Sequence, residues 1–411
     1  MATADPVAPS ALQASAGDPE KTLVEVEKAM SDTKLQDPGL TSDPTSNTPK
    51  NGPPTTAPDG NGSEPQQNGH GPESQVSVGL SNEYEDAVRE LKLPHSSADG
   101  PAKKPLDKPT DTSKPKARAD LSIDQDAKYK QLLGVVSKWT EVPDKLAKGG
   151  ETSAITDDER MFMTRDALLR YLRADKWDIN AAAIRMRNTL TWRREYNIKK
   201  ITPEYIGIEN ETGKQLIMGW DNEGRTCQYM RPSKQNTERG DRQIEHLVFM
   251  LERSIDMMPV GQETLTLLIN FMETKSGQGA TLNQGKQTMY ILQNHYPERL
   301  GRALVTNVPW YIWTFFKLIT PFIDPLTRGK IKFNEDSGLH VPREQLLKES
   351  GGSVEFDYDH SQYWPALNRL CELKREAYHQ RWLKGGKRIG EHESYLKGGD
   401  EKSLSESEKG I

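Results

Sequence analysis

The large aromatic side chains of this chain are confined to its later part. All eight tryptophans and all eight phenylalanines lie at or beyond Trp139, and the first 120 residues contain one aromatic residue, Tyr84. That N-terminal stretch is instead rich in Pro, Gly, Asn, Ser and Thr. A segment without large apolar side chains cannot bury enough surface to offset the entropy lost on ordering. Residues 1–120 are therefore predicted to form a disordered tail.

A basic stretch closes this predicted tail. Its sequence, AKKPLDKPTDTSKPKARAD, places six basic residues between Lys103 and Arg118. Two interpretations stay open, a solvated linker or a segment attracted weakly to an anionic bilayer. The formal net charge of the whole chain is −5, so it has no general basic field. This argues against nucleic acid as a partner.

The cysteines and the first residues bear on the cellular compartment. The chain contains two cysteines, Cys227 and Cys371. Its first residues, MATADPVAPSALQ, show no basic start followed by an apolar run. Both features are typical of a cytoplasmic protein that is not secreted.

Helical periodicity begins near Ala127. The segment Asp157–Arg173 has acids in its first turn and arginines in its last, which predicts one helix. Asp178 is then expected to cap a second helix, in which apolar residues recur at a spacing near 3.6 up to WRREYNI. Residues 121–205 are predicted to form a small helical subdomain.

From Lys214 onward the pattern changes to that of strands. Two runs, KQLIMGWD and RTCQYMRP, are joined by the turn NEG and predict a hairpin. Apolar runs in LTLLINF, RALVTNVP and KIKFN then alternate with helical segments in DRQIEHLVFMLERSIDMM and QGKQTMYILQNHYPERLG. This alternation predicts an α/β fold in residues 206–385, a mostly parallel sheet covered by helices. Residues 386–411 are predicted to be a polar C-terminal tail.

One apolar segment, Val305–Ile323, is long enough to suggest a membrane span. Lys317 opposes insertion, and Pro309 and Pro321 divide the run, so the better prediction is a short helix, Trp310–Thr320, with Pro309 in its first turn. Two interpretations of this helix stay open. It is either buried core or a helix that faces an apolar ligand on one side and a membrane interface on the other, where Trp and Tyr are favoured.

Charged residues stand on both sides of this apolar segment. The residues before it are Glu298, Arg299 and Arg302, and those after it are Thr327, Arg328 and Lys330. They form either ordinary surface ion pairs or a polar headgroup site beside a hydrophobic segment. Arg173 and Lys176, at the turn between the first helices, are open in the same way, because basic side chains at a helix end also complement its dipole.

The sequence does not match the common enzyme signatures. GATLNQGKQ has one residue too many for a Walker A loop and carries Gln287 where Ser or Thr binds magnesium. SGQGATL lacks the third glycine of a dinucleotide fingerprint, and no serine stands in a G-x-S-x-G elbow. The histidines and cysteines show no zinc spacing, and His295 is expected to be structural. The prediction is a protein that is not an enzyme and has no metal site.

Three blocks of sequence carry a family resemblance. They are LLRYLRADKWDINAAAIRMRNTLTWRREY, YILQNHYPERLGRALVTNVPWYIWTFFKLITPFIDPLTRGKIKF and SGGSVEFDYDHSQYWP. Over residues 125–385 the chain resembles the CRAL-TRIO domain of fungal phosphatidylinositol transfer proteins, including the helical subdomain that precedes it. The resemblance implies a protein that encloses one phosphatidylinositol as bound ligand, with no cofactor, and exchanges it between membranes.

The resemblance also implies which residues form the site. The lipid pocket would be floored by the sheet and closed by a movable gate helix that carries Trp310, Trp313, Phe316 and Lys317. The inositol phosphate headgroup would be held by residues from three segments: Lys176, Glu298, Thr327 and Lys330. A loop containing Gly351 and Gly352 would accompany gate movement.

The sequence departs from the family pattern at two places. Asp175 stands where the best-known members carry a basic residue, which removes one expected phosphate contact. The segment METKSGQGATL lacks the Ser/Thr pattern that contacts phosphatidylcholine in dual-specificity members. The second departure matches a branch of the family that pairs phosphatidylinositol with a sterol, so a sterol is the expected second ligand.

Two other functions stay open at this point. The chain could present lipid to a phosphoinositide kinase as a regulatory module, or it could be an α/β lipid hydrolase, which the missing nucleophile elbow opposes. In either transfer or presentation, the expected location is the cytoplasm, with peripheral association with membranes or lipid droplets.

Overall fold

The computed structural model describes residues 83–98, 100–147 and 149–409. The first 82 residues, most of the predicted tail, lie outside the described residues. The described part begins with a short helix over residues 83–90 (α1). Val88 of this helix and Leu91 after it pack against the main hydrophobic core.

Helices and one small hairpin form the subdomain that was predicted as helical. Its core contains apolar side chains from all of the longer helices, such as Leu132, Leu168, Leu172 and Met186. The elements are α2 (Ile123–Val136), β1 (Glu141–Pro143), β2 (Thr152–Ala154), α3 (Asp157–Phe162), α4 (Arg165–Ala174), α5 (Ile179–Glu195) and the short α6 (Pro203–Ile206).

The segment predicted as one helix over Asp157–Arg173 is two helices, so that prediction is wrong. The first helix ends at Phe162, and the Thr164 side chain accepts a hydrogen bond of 3.0 Å from the backbone N–H of Ala167, which caps the second. Thr156 caps the first helix in the same way. Each threonine satisfies backbone donors that a helix start leaves open, and two such caps in one run specify two starts. Asp178 caps α5 as expected.

Five strands form the central sheet. β3 and β4 are an antiparallel hairpin, and β4 to β7 run parallel, so the predicted hairpin and the predicted mostly parallel sheet are confirmed. In spatial order the strands are β3 (Gln215–Trp220), β4 (Thr226–Met230), β5 (Leu265–Asn270), β6 (Leu300–Thr306) and β7 (Ile331–Phe333).

Gly219 lets a loop approach the edge strand β3. The register of the hairpin shifts between Ile217 and Trp220, and Gly219 has a φ of +71°. A Cβ atom at this position would overlap the carbonyl oxygen of Gln345. Glycine is therefore required both by the backbone angle and by the neighbour.

Long helices cover the sheet, as expected for an α/β fold. The main core joins strands of the sheet to α7 and α11, with buried side chains such as Leu216, Tyr229, Met250 and Leu367. In the described ranges, none of the helices combines the length and hydropathy that a membrane span requires. The remaining helices are α7 (Asp241–Asp256), α8 (Leu282–His295), α9 (Trp310–Ile319), α10 (Pro325–Gly329), α11 (His360–Lys384), α12 (Glu393–Leu396) and α13 (Leu404–Lys409).

Residues 100–120, which we call the N-terminal strap, lie against the body of the fold. Leu106 is fully buried in the main core. The Ala102 N–H donates to the carbonyl of Glu355 (2.8 Å), and the Ala102 carbonyl accepts from Asp357 (3.0 Å). The structure therefore corrects the predicted tail boundary. Backbone pairing and one leucine fix the strap, so it needs no aromatic residue.

The predicted polar C-terminal tail is corrected in the same way for residues 386–409. Leu396 of α12 is buried, and the Trp382 indole donates to the carbonyl of Arg388 (2.9 Å). The buried Glu391 carboxylate accepts from the backbone N–H of Leu404 (3.1 Å). Charged composition hid these contacts, because they are made by backbone groups and by single side chains.

Candidate functional site

The apolar segment after β6 forms helix α9, as predicted. Pro309 is the residue before its first turn, and at its end the Thr320 hydroxyl donates to the carbonyl of Phe316 (2.6 Å). Its aromatic side chains contact the ends of two strands. The ring centroids of Trp313 and Phe316 lie 4.5 and 5.0 Å from that of Phe333, which ends β7. Phe316 also meets Phe271, just after β5, at 6.3 Å.

The burial of α9 is incomplete for so apolar a helix. Among its side chains Ile312 and Ile319 are buried, whereas Trp313, Phe315 and Phe316 are partly exposed. Trp310 is 75% exposed, and Lys317 is also exposed. Leu326, in the next helix, is 77% exposed. A core helix would bury these groups, so the structure favours a helix with one face open to an apolar partner.

A glycine sets the distance between α9 and its neighbour α8. A Cβ atom at Gly285 would lie 2.9 Å from the ring of Phe315. The Tyr311 hydroxyl anchors the start of α9 by donating to the carbonyl of Thr274 (2.6 Å). The ring contacts of α9 described above are between apolar side chains, which have no fixed direction.

Thr327 and Lys330 follow α9 and return the chain to the sheet. The Asp324 side chain caps α10 by accepting from the Thr327 N–H (2.9 Å). Burial acts to raise the pKa of Asp324. Hydrogen bonds from Thr327 and the charge of Lys330 outweigh burial, so the pKa of Asp324 is lowered. The carbonyl of Lys330 accepts from Ala303 of β6 (2.9 Å). Within the described ranges, the Lys330 ammonium makes no hydrogen bond or ion pair.

Glu298 lies two residues before β6. Its backbone has a φ of +61°, and its carboxylate lies 3.7 Å from Nε of Arg173. Arg173 is in the last turn of α4, and Lys176 follows it in an exposed left-handed turn with a φ of +52°. The structure thus brings Glu298 to the segment that carries Lys176. It places Lys330 beside the strand that Glu298 precedes. No described side-chain contact joins Lys176, Glu298 and Lys330 directly.

The side chain of Asp175 is already engaged. Both of its oxygens accept from Arg185 of α5, at 2.6 and 2.8 Å. Arg185 also donates to the carbonyl of Gln293 in α8 (3.0 Å). The residue that departs from the family pattern therefore joins three helices through Arg185.

The loop with the two glycines lies between the N-terminal strap and strand β3. Gly351 has a φ of +92° and ends a short 3₁₀ turn, and a Cβ atom at Gly352 would overlap the carbonyl of Leu346. Gln345 of this loop donates to the carbonyl of Lys108 in the strap (3.4 Å). The Gln345 side chain also accepts from the backbone N–H of Trp220 in β3 (3.2 Å), so hydrogen bonds connect the loop to both the strap and the edge of the sheet.

Sequence reasoning missed Glu263, which lies just before β5. Its side chain is 5% exposed and forms ion pairs with Arg118, Arg170 and Arg173, the last two at 3.5 and 2.6 Å. In the sequence it stands in GQETLTLL as one acid before an apolar strand. That position is the only local signal, since all three partners are distant in the chain.

A cavity of about 620 Å³ lies away from α9. It is lined by residues of α4, α5, α7, α11 and α12, including Arg193, Glu252 and Glu393. Burial opposes ionisation of Glu252, but Arg193 and a hydrogen bond from Tyr296 lower its pKa to about 2. None of the four predicted headgroup residues lines this cavity. It is therefore not the pocket expected between the sheet and a gate helix.

His295 lines the same cavity, and its contacts are structural. Its ring stacks on Trp192 at 4.3 Å, and Nδ1 lies 3.3 Å from the Thr189 hydroxyl. Burial lowers the pKa of His295 to about 4, so the ring is neutral at physiological pH.

Comparisons with known proteins agree with this architecture. One family model, described as CRAL/TRIO, N-terminal domain, matches residues 128–188, and another, the CRAL/TRIO domain, matches residues 210–352. The phosphatidylinositol transfer protein PDR17 of Saccharomyces cerevisiae is 34% identical over 296 residues, which cover 68% of this chain and 85% of that protein.

Two further comparisons differ in their coverage. A CRAL-TRIO domain-containing protein of Schizosaccharomyces pombe is 46% identical over 282 residues, covering 69% of this chain but 28% of that longer protein. The crystal structure of Sfh5 superposes with a TM-score of 0.44 at 16% identity, covering 60% of this chain and 93% of that one.

Proposed function

This chain belongs to the CRAL-TRIO family, among the fungal phosphatidylinositol transfer proteins, and we propose that it encloses one phosphatidylinositol and exchanges it between membrane surfaces. The relative from Saccharomyces cerevisiae is named a phosphatidylinositol transfer protein. The observation that carries the proposal here is the arrangement around β6. A charged segment with Glu298 precedes the strand, a partly exposed apolar helix follows it, and the chain then returns with Lys330 to its side.

An inositol phosphate offers one phosphodiester anion and several ring hydroxyls. Lys330 and Lys176 would supply positive charge and donors, and Thr327 would donate or accept. Glu298 would accept from ring hydroxyls. Among the described residues, the ammonium groups of Lys330 and Lys176 make no hydrogen bond or ion pair, and the Lys330 charge acts on nearby Asp324.

Helix α9 would act as the gate over the acyl chains. Burying hydrocarbon is worth about 0.8 kcal/mol per methylene, so a two-chain lipid needs an apolar enclosure to cross water. Trp313 and Phe316 would contact the chains, while Trp310 and Lys317 lie at the exposed end that would meet a bilayer. We propose that the loop at Gly351 and Gly352 accompanies this movement.

The proposal includes a sterol as the second ligand and a cytoplasmic protein that binds membranes or lipid droplets peripherally. A sterol has one hydroxyl and no charge, so it would use the apolar part of the pocket without the ionic contacts of the headgroup. We propose transfer without catalysis, and lipid presentation to a phosphoinositide kinase stands as the alternative use of the same binding site.

The test is a transfer assay with the purified full chain. Donor vesicles contain labelled phosphatidylinositol, acceptor vesicles contain none, and no kinase is added. We expect each protein molecule to carry many phosphatidylinositol molecules between vesicles, and mass spectrometry of lipid extracted from the purified protein should find phosphatidylinositol. Absence of both transfer and bound phosphatidylinositol would overturn the proposal, whereas binding without transfer would favour presentation.

A further inference from the structure

Glu263 is a buried carboxylate at a meeting point of three separate segments. It precedes β5, and its partners come from the N-terminal strap and from helix α4. Arg118 of the strap forms an ion pair with it, Arg173 Nη2 lies 2.6 Å from Oε2, and Arg170 Nη1 lies 3.5 Å from Oε1. A buried charge is costly unless it is paired, so these contacts are mutually dependent.

Two of these arginines extend the ion pairs in opposite directions. Arg173 also reaches Glu298 at 3.7 Å, and Arg170 donates to Glu393 of α12 at 2.7 Å. Burial lowers the pKa of Arg173, and Glu263 acts against that shift. The result is a row of alternating charges, Glu298, Arg173, Glu263, Arg170 and Glu393, which we call the charge row.

The position of Glu298 depends on this row. In the part of the chain that the structure describes, Arg173 is the one charged partner of the Glu298 carboxylate. Arg173 itself is held mainly by Glu263, because that contact is shorter by 1.1 Å (3.7 minus 2.6) and is a hydrogen bond. The orientation of Arg173 is therefore set at Glu263 and then transmitted to Glu298.

We infer that Glu263 is a positioning residue for the headgroup site: it holds Arg173 at a distance that keeps Glu298 oriented but open to inositol hydroxyls. This inference rests on the proposed function. Without the Glu263 charge, Arg173 can turn fully onto Glu298 and form the close ion pair that Glu263 now competes for. Glu298 would then be occupied by protein instead of ligand.

The first test compares Glu263→Gln with wild type in phosphatidylinositol transfer between vesicles, using the full chain. We expect transfer to fall about tenfold, the equivalent of one charge-assisted hydrogen bond. Glu159→Gln is the matched control. The partly buried Glu159 also accepts hydrogen bonds from an arginine, Arg194, at 2.6 and 2.8 Å, but it has no described contact with Arg173. Its transfer rate should stay within about twofold of wild type.

A double-mutant cycle separates positioning from a general loss of stability. If Glu263 acts through Glu298, Glu263→Gln combined with Glu298→Gln should transfer no more slowly than Glu298→Gln alone. Losses that multiply would overturn the inference. Arg173→Gln is the second variant, used if Glu263→Gln does not fold. The Arg173→Gln protein keeps Glu263 paired with Arg118 and Arg170. It should lower transfer to a similar extent and be equally non-additive with Glu298→Gln.

The outcomes distinguish this inference from the function on which it rests. If wild type transfers phosphatidylinositol and the folded Glu263→Gln and Arg173→Gln variants match its rate, the positioning role is overturned and the proposed function stands. If wild type transfers none, the proposed function fails and the positioning role falls with it.

Discussion

At the start of strand β6 the chain is surrounded by charge, whereas just beyond its end it turns into the apolar helix α9. Glu298 and Arg302 at the first end lie 3.7 and 3.8 Å from oppositely charged groups, Arg173 and Glu223. At the second end, Trp310 and its neighbours present aromatic rings. A ligand that contacts both ends must itself be amphipathic, with a polar head and apolar chains.

The two ends also differ in how firmly they are held. Charged groups at the first end lie in directional contacts, and each buried partner that is removed leaves a costly unpaired charge. Helix α9 is held largely by ring contacts around Phe333 and by few hydrogen bonds, of which Tyr311 to Thr274 is one. We infer that the apolar end is the one that can move at low energetic cost, while the charged end stays fixed.

The largest expected effect is at the charged end. Replacing Lys330 or Glu298 with Ala should weaken phosphatidylinositol transfer by roughly 2 to 5 kcal/mol, because the ligand charge or hydroxyls lose their partner. Sterol binding should persist, since a sterol carries no charge. Lys332→Ala is the matched control, because Lys332 is an exposed lysine two residues away in β7. Loss of both ligands together would indicate a structural ion pair, and no change in either would place the headgroup elsewhere.

The next largest effect is expected on stability, when the N-terminal strap is loosened. The strap places Arg118 at the charged end. Leu106→Ala should lower the free energy of unfolding by roughly 3 to 5 kcal/mol, the range for a fully buried leucine. Denaturant unfolding measures this. Ile123→Ala is the control, since Ile123 is 92% exposed and should change stability by less than about 0.5 kcal/mol. Equal stability of wild type and Leu106→Ala would show that the strap does not belong to the fold.

His295 predicts a pH dependence near the charged end. Burial lowers its pKa from 6.5 to about 4, so the folded state binds this proton less readily than the unfolded chain. Its contribution to stability is complete above pH 6.5 and is lost as the pH falls to about 4, up to about 3 kcal/mol. Unfolding curves of His295→Gln should therefore be less pH-dependent in that window. Parallel curves for wild type and variant would contradict the assignment.

The smallest effect on stability is expected at the apolar end. Trp310→Ala should change the free energy of unfolding by less than about 0.5 kcal/mol, because Trp310 is 75% exposed. Vesicle transfer should nevertheless slow several-fold if this ring enters the membrane interface. Leu339→Ala is the control, since Leu339 is 63% exposed in a 3₁₀ turn outside α9. If both variants slow vesicle transfer equally, the prediction that the apolar end enters the membrane interface is wrong.

The sequence predicted the elements whose signals are local. Alternating apolar runs gave the parallel strands, the NEG turn gave the hairpin, and Pro309 with the aromatic run gave α9. The cap at Thr164 was also visible in the sequence, but the acids and arginines of a longer helix masked it.

What the sequence could not reveal depends on contacts between distant segments. Leu106 is buried by residues far from it in the chain, and the partners of Glu263 come from the strap and from α4. Composition describes such segments as polar and hence as tails. The ion pairs of Glu263 depend on which arginines the fold brings close to it. The periodicity of the sequence carries no information on those distant partners.

Photo-crosslinking tests the central assignment most directly. Phosphatidylinositol with a photoreactive group at the end of an acyl chain should label peptides from α9 or peptides that contain Phe333. A photoreactive group on the inositol ring should label peptides that contain Glu298 or Lys330. The cavity of about 620 Å³ offers the alternative location. If the acyl probe instead labels peptides that line that cavity, such as those containing Ile198 or Tyr378, the assignment of the two ends of β6 is wrong.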